Sequence, residues 1–499
     1  MKLNVFKIPK DRVKDLKDKF KLPSLGLKVI KSEKIGDYQT DFYFSKDVKN
    51  IPIPWVDTYS DFFSEPKPSN TVYFACYLWE SDKFCFALSY GKSHFYLRQF
   101  CDHDFGTFIA KRIANEKDIR QKSSKKFAGK KKKEIRSYMK NSQLDIESGE
   151  SVDYLQSSII KDQVINFGKS GKFGSSVLLS LDMEKDKLPG FFKDLVSAIG
   201  LTENFSLPRT TIIDNTTQSQ KFEKDLINEI VGNSDDTDFT ENSHELFGVD
   251  FVFSGHEKYK FSHRGNESNH LDELSIEALR KYVSENSIPK DEIMAIKVIV
   301  EKEDSKGYTK QIKDSLDYIV DGQNVILSQG RWMEFNEDYV DQLNEYIDEI
   351  EIEPTEDSLV EVEKVAEKKF NENTIPLGYS NADKDFSKIK IGSGVAIEAW
   401  DLQKDDVVYA VKIGTPQKLG YVCDQSNNTL EIIKKKANVR KLDINFKTYC
   451  LWIVLDRAER ISKISEIKSI IFKQKIESWA RKCSEFGITP KIKISYIKK

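Results

Sequence analysis

The sequence predicts a multidomain α+β protein. An N-terminal mixed or antiparallel sheet with helices covers residues 1–207, a middle α+β region covers 208–350, and a C-terminal α/β domain covers 351–499. Three observations lead there. A chain of 499 residues is too long for one core. Short apolar runs bounded by turn residues crowd the first hundred positions, as antiparallel strands do. The last third instead alternates strand-like and helix-like segments, the signature of an α/β layer.

Composition bounds the rest. A hydrophobic fraction of 39%, with 31 Phe and 20 Tyr, suffices to fill such cores. Charged residues reach 32%, above the globular average of about 25%. Net charge is −2, so the molecule as a whole exerts no long-range pull on nucleic acid. The six cysteines lack CxxC or other zinc-like spacing, which reads as free core thiols in a reducing cytoplasm. The start MKLNVFKIPKDR has no apolar signal region, and no run approaches the roughly 18 apolar residues of a membrane span. A cytoplasmic protein with no membrane contact is the expectation.

In chain order, Leu3–Ile8 reads as a strand and Arg12–Phe20 as a helix. Thr71–Trp79, Lys83–Ser89 and Ser93–Leu97 read as a three-stranded meander turning at Glu80-Ser81-Asp82 and Tyr90-Gly91-Lys92. Asp102–Ala114 reads as a helix. Lys111–Lys140 then carries 13 Lys or Arg against 3 acids, with Lys130–Lys133 consecutive. It is either a phosphate-gripping segment or a solvated loop whose lysines repel one another. Lys125, Lys126, Lys130, Lys131, Lys132, Lys133 and Arg136 are its candidate nucleic-acid contacts. Lysine dominance points to backbone contact rather than base reading.

Gly168-Lys169-Ser170 matches the end of a phosphate-binding loop, but Gln163 stands at the leading glycine and the strand Val177–Leu181 follows, so a turn before a strand is the better reading. Lys187–Ile199 is an amphipathic helix. His256, His263 and His270 are seven apart, a spacing that fits no zinc motif. Leu271–Asn286 reads as a helix, Ala295–Glu301 as a strand, Asp317–Leu327 as a hairpin and Asn336–Glu349 as a helix. Glu345–Glu367 is strongly acidic and could mask the basic segment or meet a protein partner.

Beyond it, Val360–Glu372 reads as a helix with Glu363, Glu367 and Asn371 on one face. AIEAW and VVYAVKI form a hairpin around Gln403–Asp406, followed by a helix with Gln425. The strand Tyr449–Leu455, the helix Ser465–Phe486 and the strand Lys491–Tyr496 close the chain. In the hairpin Asp401 closes one strand and Lys412 sits near the end of the next. Burying either charge costs several kcal/mol unless it is paired, hydrated or metal-bound.

Several of these stretches together resemble an uncharacterised bacterial family called the "sporadically distributed protein" family. They are ALSYGKSHF, FGKSGKFGSSVLLSL, VILSQGRWMEFNEDYV, EKKFN, IEAWDL followed by VYAVK, the Gln425 helix and the closing strand–helix–strand. The resemblance covers nearly the whole chain and implies a phage-defence setting without implying a reaction. The family tends to have His where Ala410 stands, and a Ser-His-Leu-Phe-like helix start where Gly420–Asp424 stands.

The C-terminal pattern also resembles a restriction-endonuclease-like (PD-(D/E)xK-type) core: a helix, a strand ending in Asp, a strand with an acid-x-Lys, and a helix across them. In such a site two carboxylates hold Mg²⁺ or Mn²⁺, and the lysine orients or deprotonates the attacking water. The expected roles here are Asp401 and Glu367 as metal ligands, Lys412 as water-activating or phosphate-binding group, and Gln425 as an accessory. Ala410 occupies the place of the second acid, and Glu398 could replace it only through a bulge. Three functions stay open. One is a metal-dependent nuclease of DNA or RNA, and another a non-catalytic nucleic-acid-binding or phage-sensing scaffold. The third is a protein-interaction module. A second copy of the chain or a phage protein is the further partner to expect.

Overall fold

A computed structural model describes the chain except residues 46–50, 128–132, 214–215, 233–236, 240–256, 273, 303–307, 321, 329, 382–389, 392–394, 397–399, 415, 441–445, 457–458 and 499. The architecture is α+β with several sheets. The chain forms two compact units. The first comprises Met1–Lys125, Glu134–Ile146 and Val152–Leu207, and the second Lys126–Lys133, Glu147–Ser151 and Pro208–Lys499.

The first unit is organised on a ten-stranded sheet. Its strands are β1 (Lys2–Pro9), β2 (Leu27–Ile35), β3 (Tyr38–Ser45), β4 (Ala75–Glu80), β5 (Phe84–Tyr90), β6 (Ala114–Lys126), β7 (Lys133–Ser142), β8 (Glu150–Ile159), β9 (Ser170–Phe173) and β10 (Val177–Ser180). The spatial order is β2-β3-β4-β5-β1-β10-β9-β8-β6-β7. Alternation along each strand feeds two cores. Leu3 and Val5 face one side and Phe6 and Ile8 the other. The helix α1 (Lys10–Phe20) covers the second side through Val13, Leu16 and Phe20. The helices α2 (Phe105–Ile113) and α3 (Leu188–Ile199) cover the first, where Phe192 stacks on Phe86 with ring centroids 5.1 Å apart.

Two expectations change here. Ser93–Leu97 is helical rather than a third meander strand, with Gly91–Ser93 a 3₁₀ turn and His94–Leu97 a helix. Gly91 takes φ +62°, and the Ser93 hydroxyl accepts the Tyr90 N–H at 3.1 Å, which folds the chain back before it can pair. The basic stretch, read as a grip or a solvated loop, is built as the consecutive edge strands β6 and β7, joined by residues 127–132.

In the second unit, a five-stranded and a four-stranded sheet share a core with the helices Thr216–Gly232 and Ile276–Glu285. The C-terminal sheet follows the helix α4 (Glu337–Asp348). Its elements are β11 (Glu351–Glu353), β12 (Glu361–Val362), α5 (Glu367–Thr374), β13 (Ser380–Asn381), β14 (Leu402–Lys404), β15 (Val407–Gly414), α6 (Pro416–Arg440), β16 (Thr448–Leu455), α7 (Ile470–Glu485) and β17 (Thr489–Ile497). The order is β11-β17-β16-β15-β14-β13, with β12 also on β17. Strands β15, β16 and β17 are mutually parallel and β14 runs against β15. Buried on both faces, β16 reads TYCLWIVL, the near-continuous apolar run a central parallel strand requires. Leu451 and Ile453 pack under α4, α6 and α7, while Cys450, Trp452 and Val454 face Phe370 of α5.

The helix expected over 360–372 begins only at Glu367, because Glu361 and Val362 join β17 in parallel register. Likewise Val395–Ala396 pairs with Lys390–Ile391, and β15 takes Leu402–Lys404 as its hairpin partner. Asp401 therefore precedes that strand instead of ending the one before.

A small residue is obligatory where α2 meets the β9–β10 turn. A Cβ on Gly106 would lie 2.3 Å from the carbonyl oxygens of both Gly174 and Ser176. Gly106→Ala is expected to destabilise the protein by about 2–3 kcal/mol through this backbone overlap, read as a lowered urea midpoint at unchanged slope.

Candidate functional site

The carboxyl end of β15 gathers the C-terminal residues of interest. On one edge of a strand, N–H groups two residues apart point the same way. Beyond the short β14, the outer edge of β15 offers those of Val411 and Ile413. Asp401 Oδ2 accepts the Val411 N–H at 2.6 Å, and the Asp401 N–H donates to Tyr409 O at 2.9 Å. Glu367, in the first turn of α5, accepts the Ile413 N–H through Oε1 at 3.5 Å. Its oxygens lie 3.0 Å and 3.1 Å from Lys412 Nζ. Lys412 and Glu367 are both partly exposed. The two carboxylates thus flank the strand end on its open edge, and the ammonium is bound to one of them.

The α6 helix crosses this end. Leu419, Val422, Cys423, Ser426 and Leu430 form its buried stripe, whereas Tyr421 is 58% exposed. The Tyr421 ring centroid lies 5.9 Å from Lys412 Nζ. Gln425 is exposed one turn further along the helix. Glu398 lies outside the described residues, as do Lys130, Lys131 and Lys132.

The chemistry these donors support can be tested against Mg²⁺ or Mn²⁺, hard ions that ask for several oxygen ligands. Position 410 is alanine, Asp401 Oδ2 is taken by a backbone N–H, and both Glu367 oxygens face an ammonium group. Among the described residues, no group of three or more His, Cys, Asp or Glu side chains is placed to hold a metal. The described donors do not fit the ion.

In the basic stretch, Lys126 pairs with Glu147 at 2.7 Å within the second unit. Phe127 packs edge-on against Phe335 with ring centroids 5.1 Å apart. In the first unit Arg136 pairs with Glu134 and Asp145, both at 3.0 Å. Lys125 is partly buried in β6, and Lys133 is exposed at the start of β7. His263 and His270, whose spacing suggested no ligand role, each face a glutamate, Glu292 and Glu301, at 3.0 Å.

The acidic belt acts locally. Glu351 pairs with Lys491 at 2.8 Å, Glu353 with Lys493 at 3.3 Å, and Glu356 with Lys493 at 2.9 Å and Lys404 at 3.2 Å. Glu361 holds Arg460, and Glu363 holds Lys498 at 3.4 Å. These acids neutralise cations on or beside the last sheet, so the masking role expected of the belt toward the basic stretch has a local competitor in every pair named.

Sequence reasoning missed Lys493, which is 1% exposed inside a parallel strand. Its ammonium lies 4.7 Å from the Trp452 ring centroid, 5.4 Å from Tyr379 and 5.8 Å from Tyr409. It donates to the Tyr379 hydroxyl at 2.7 Å. Burial raises the Tyr379 and Tyr409 phenols, and the neighbouring Glu356 and Glu353 raise them further. Burial also works to raise the Glu356 carboxyl, but hydrogen bonds from Lys493 and Tyr379 override it and hold the group at about 2. The one available signal was KIKIS, where lysines alternate with isoleucines in an otherwise apolar strand.

A family model described as "Family of unknown function (DUF6119)" matches residues 5–447. No curated protein and no solved structure matches the chain.

Two measurements follow from the Lys493 box. Lys493→Met leaves Glu353 and Glu356 without their shared cation and is expected to cost about 3 kcal/mol; a thermal unfolding midpoint unchanged within error would contradict this. Glu356 has a folded value below its unfolded one, so its contribution is complete above the ordinary carboxylate range and fades as pH falls from about 4.5 toward about 2. Across that window Glu356→Gln should flatten the fall in urea midpoint relative to wild type.

Proposed function

This chain belongs to the DUF6119 family, and we propose that it binds DNA or RNA without hydrolysing it. The phage-defence setting is part of the proposal, and it rests on the resemblance to sporadically distributed bacterial proteins. In this reading the β6–β7 ribbon grips phosphates, and the C-terminal layer is a restriction-endonuclease-like core whose cation site is closed.

The observation that carries the reading is the ribbon. Two consecutive strands at the edge of a ten-stranded sheet bring Lys125, Lys126 and Lys133 to either side of a connection whose sequence is FAGKKK. A ribbon whose connecting sequence is rich in lysine offers several ammonium groups to a phosphate backbone and little with which to read bases. The non-hydrolytic part rests on the Lys412–Glu367 ion pair together with Ala410.

The hydrolytic alternative draws on topology. After α5, strands β13 to β17 lie side by side in sequence order, β14 is antiparallel to its neighbours, and α6 links β15 to β16. That order supports the helix–strand–strand–helix–strand frame expected of such nucleases.

Fluorescence anisotropy with labelled duplex and single-stranded oligonucleotides, titrated between about 50 and 200 mM NaCl, tests the binding. Wild type should lose affinity steeply with salt. Neutralising Lys130–Lys133 to Gln should lower the slope of log K against log salt by roughly 3–4 units. Equal slopes for the two proteins would remove the ribbon from the reading. Nicking of plasmid DNA with Mn²⁺ that disappears in Lys412→Ala would replace binding with hydrolysis.

A further inference from the structure

A second nucleic-acid contact stands apart from the ribbon. We infer that the exposed face of α6 beside Lys412 is a stacking and phosphate site for single-stranded nucleic acid, with Tyr421 as its platform and Glu367 as a displaceable counter-ion. The inference rests on the nucleic-acid reading just given and adds to it a strand type and a location.

Tyr421 is the anomaly that starts it. On a helix whose other large apolar side chains, among the described residues, enter the core, this ring is left 58% exposed. It stands where ligands of open α/β sheets bind, outside the carboxyl ends of parallel strands. Its neighbour is the Lys412 ammonium at 5.9 Å, and Gln425 and Asn428 continue the exposed face at helical spacing. From Tyr421 to Asn428 the helix rises about 10 Å. The strip therefore presents a cation, a π-face and two amides in sequence.

A phosphodiester needs the cation, and an unstacked base needs the π-face. The amides can both donate to and accept from base edges. A duplex keeps its bases stacked and cannot use the ring, which is why the site selects single strands. Lys412 is currently held by Glu367 at 3.0 Å, with both partners partly exposed. An exposed pair of this kind is weak enough for an incoming phosphate to compete. At the outer rim Asp456, whose N–H reaches Gly414 O at 3.3 Å, is engaged by Lys364 at 3.3 Å. Its negative charge is thereby offset beside the phosphate path.

The test uses the full chain, a labelled single-stranded oligonucleotide by anisotropy, and adenosine 5′-monophosphate by calorimetry. Tyr421→Ala should weaken both ligands about tenfold, and Tyr421→Phe, which keeps the ring, should stay within about twofold of wild type. Glu367→Gln, which frees the ammonium, should bind the oligonucleotide several-fold more tightly. Wild-type affinity in Tyr421→Ala for both ligands overturns the site. If ribbon neutralisation abolishes oligonucleotide binding while Tyr421→Ala does not, the site falls and the ribbon reading stands. If the nucleotide binds in a Tyr421-dependent way while ribbon neutralisation changes nothing, the ribbon reading falls and the site stands.

Discussion

Every lysine in the C-terminal sheet has to be answered by a carboxylate, and that requirement shapes the last 150 residues. Lys493 is the extreme case, an ammonium in the middle of a parallel sheet, where an unpaired charge is untenable. It is tolerable because Glu353 and Glu356 lie within ion-pair reach and three aromatic rings face it. Both carboxylates come from a segment about 140 residues upstream. The chain must therefore bring β11 and the turn after it against β17, and the parallel pairing Glu351↔Lys491 to Glu353↔Lys493 is the result. The same rule, applied at the rim, delivers Glu367 to Lys412.

Seen this way, the Lys412–Glu367 pair belongs to a series. Its neighbours in that series are Lys404–Glu356, Lys491–Glu351 and Lys498–Glu363. What separates it from them is position: it sits at the strand end, beside an exposed aromatic ring and a second carboxylate on the same strand edge. There the Lys412 ammonium is bound to Glu367, while Asp401 takes the Val411 N–H. On the reading proposed above, the Lys412 ammonium and the exposed ring beside it serve a polyanion.

How much of this could be read from residues alone varies with the physics of each element. Strand β16 was legible because a run of seven apolar and aromatic residues, Tyr449–Leu455, admits few other fates. Helix α3 was legible from its amphipathic spacing. Ser93–Leu97 was not, since five residues cannot tell a strand period from a helical one, and a serine–backbone bond decided the matter. The pairing of β14 was hidden because LQK carries no alternation and its register is set by the turn at Asp405, which takes φ +53°. At the site, the order of Glu367, Asp401 and Lys412 along the chain suggested their proximity. The Lys493 box could not be anticipated, because its partners are remote in sequence and each, taken alone, looks like an ordinary surface residue.

The makeup of the second unit has a practical corollary. It includes residues 126–133 and 147–151, separated from Pro208 by residues 152–207 of the first unit. The Gly149 carbonyl accepts the Tyr339 hydroxyl at 3.3 Å, and Glu147 reaches Arg481 at 3.8 Å. A fragment beginning at residue 208 would lack these pieces, leaving a buried phenol and a half-neutralised arginine at a raw face. The polypeptide is threaded twice through that unit before its main body is synthesised, so dissecting this protein by truncation would cut through a fold instead of between folds.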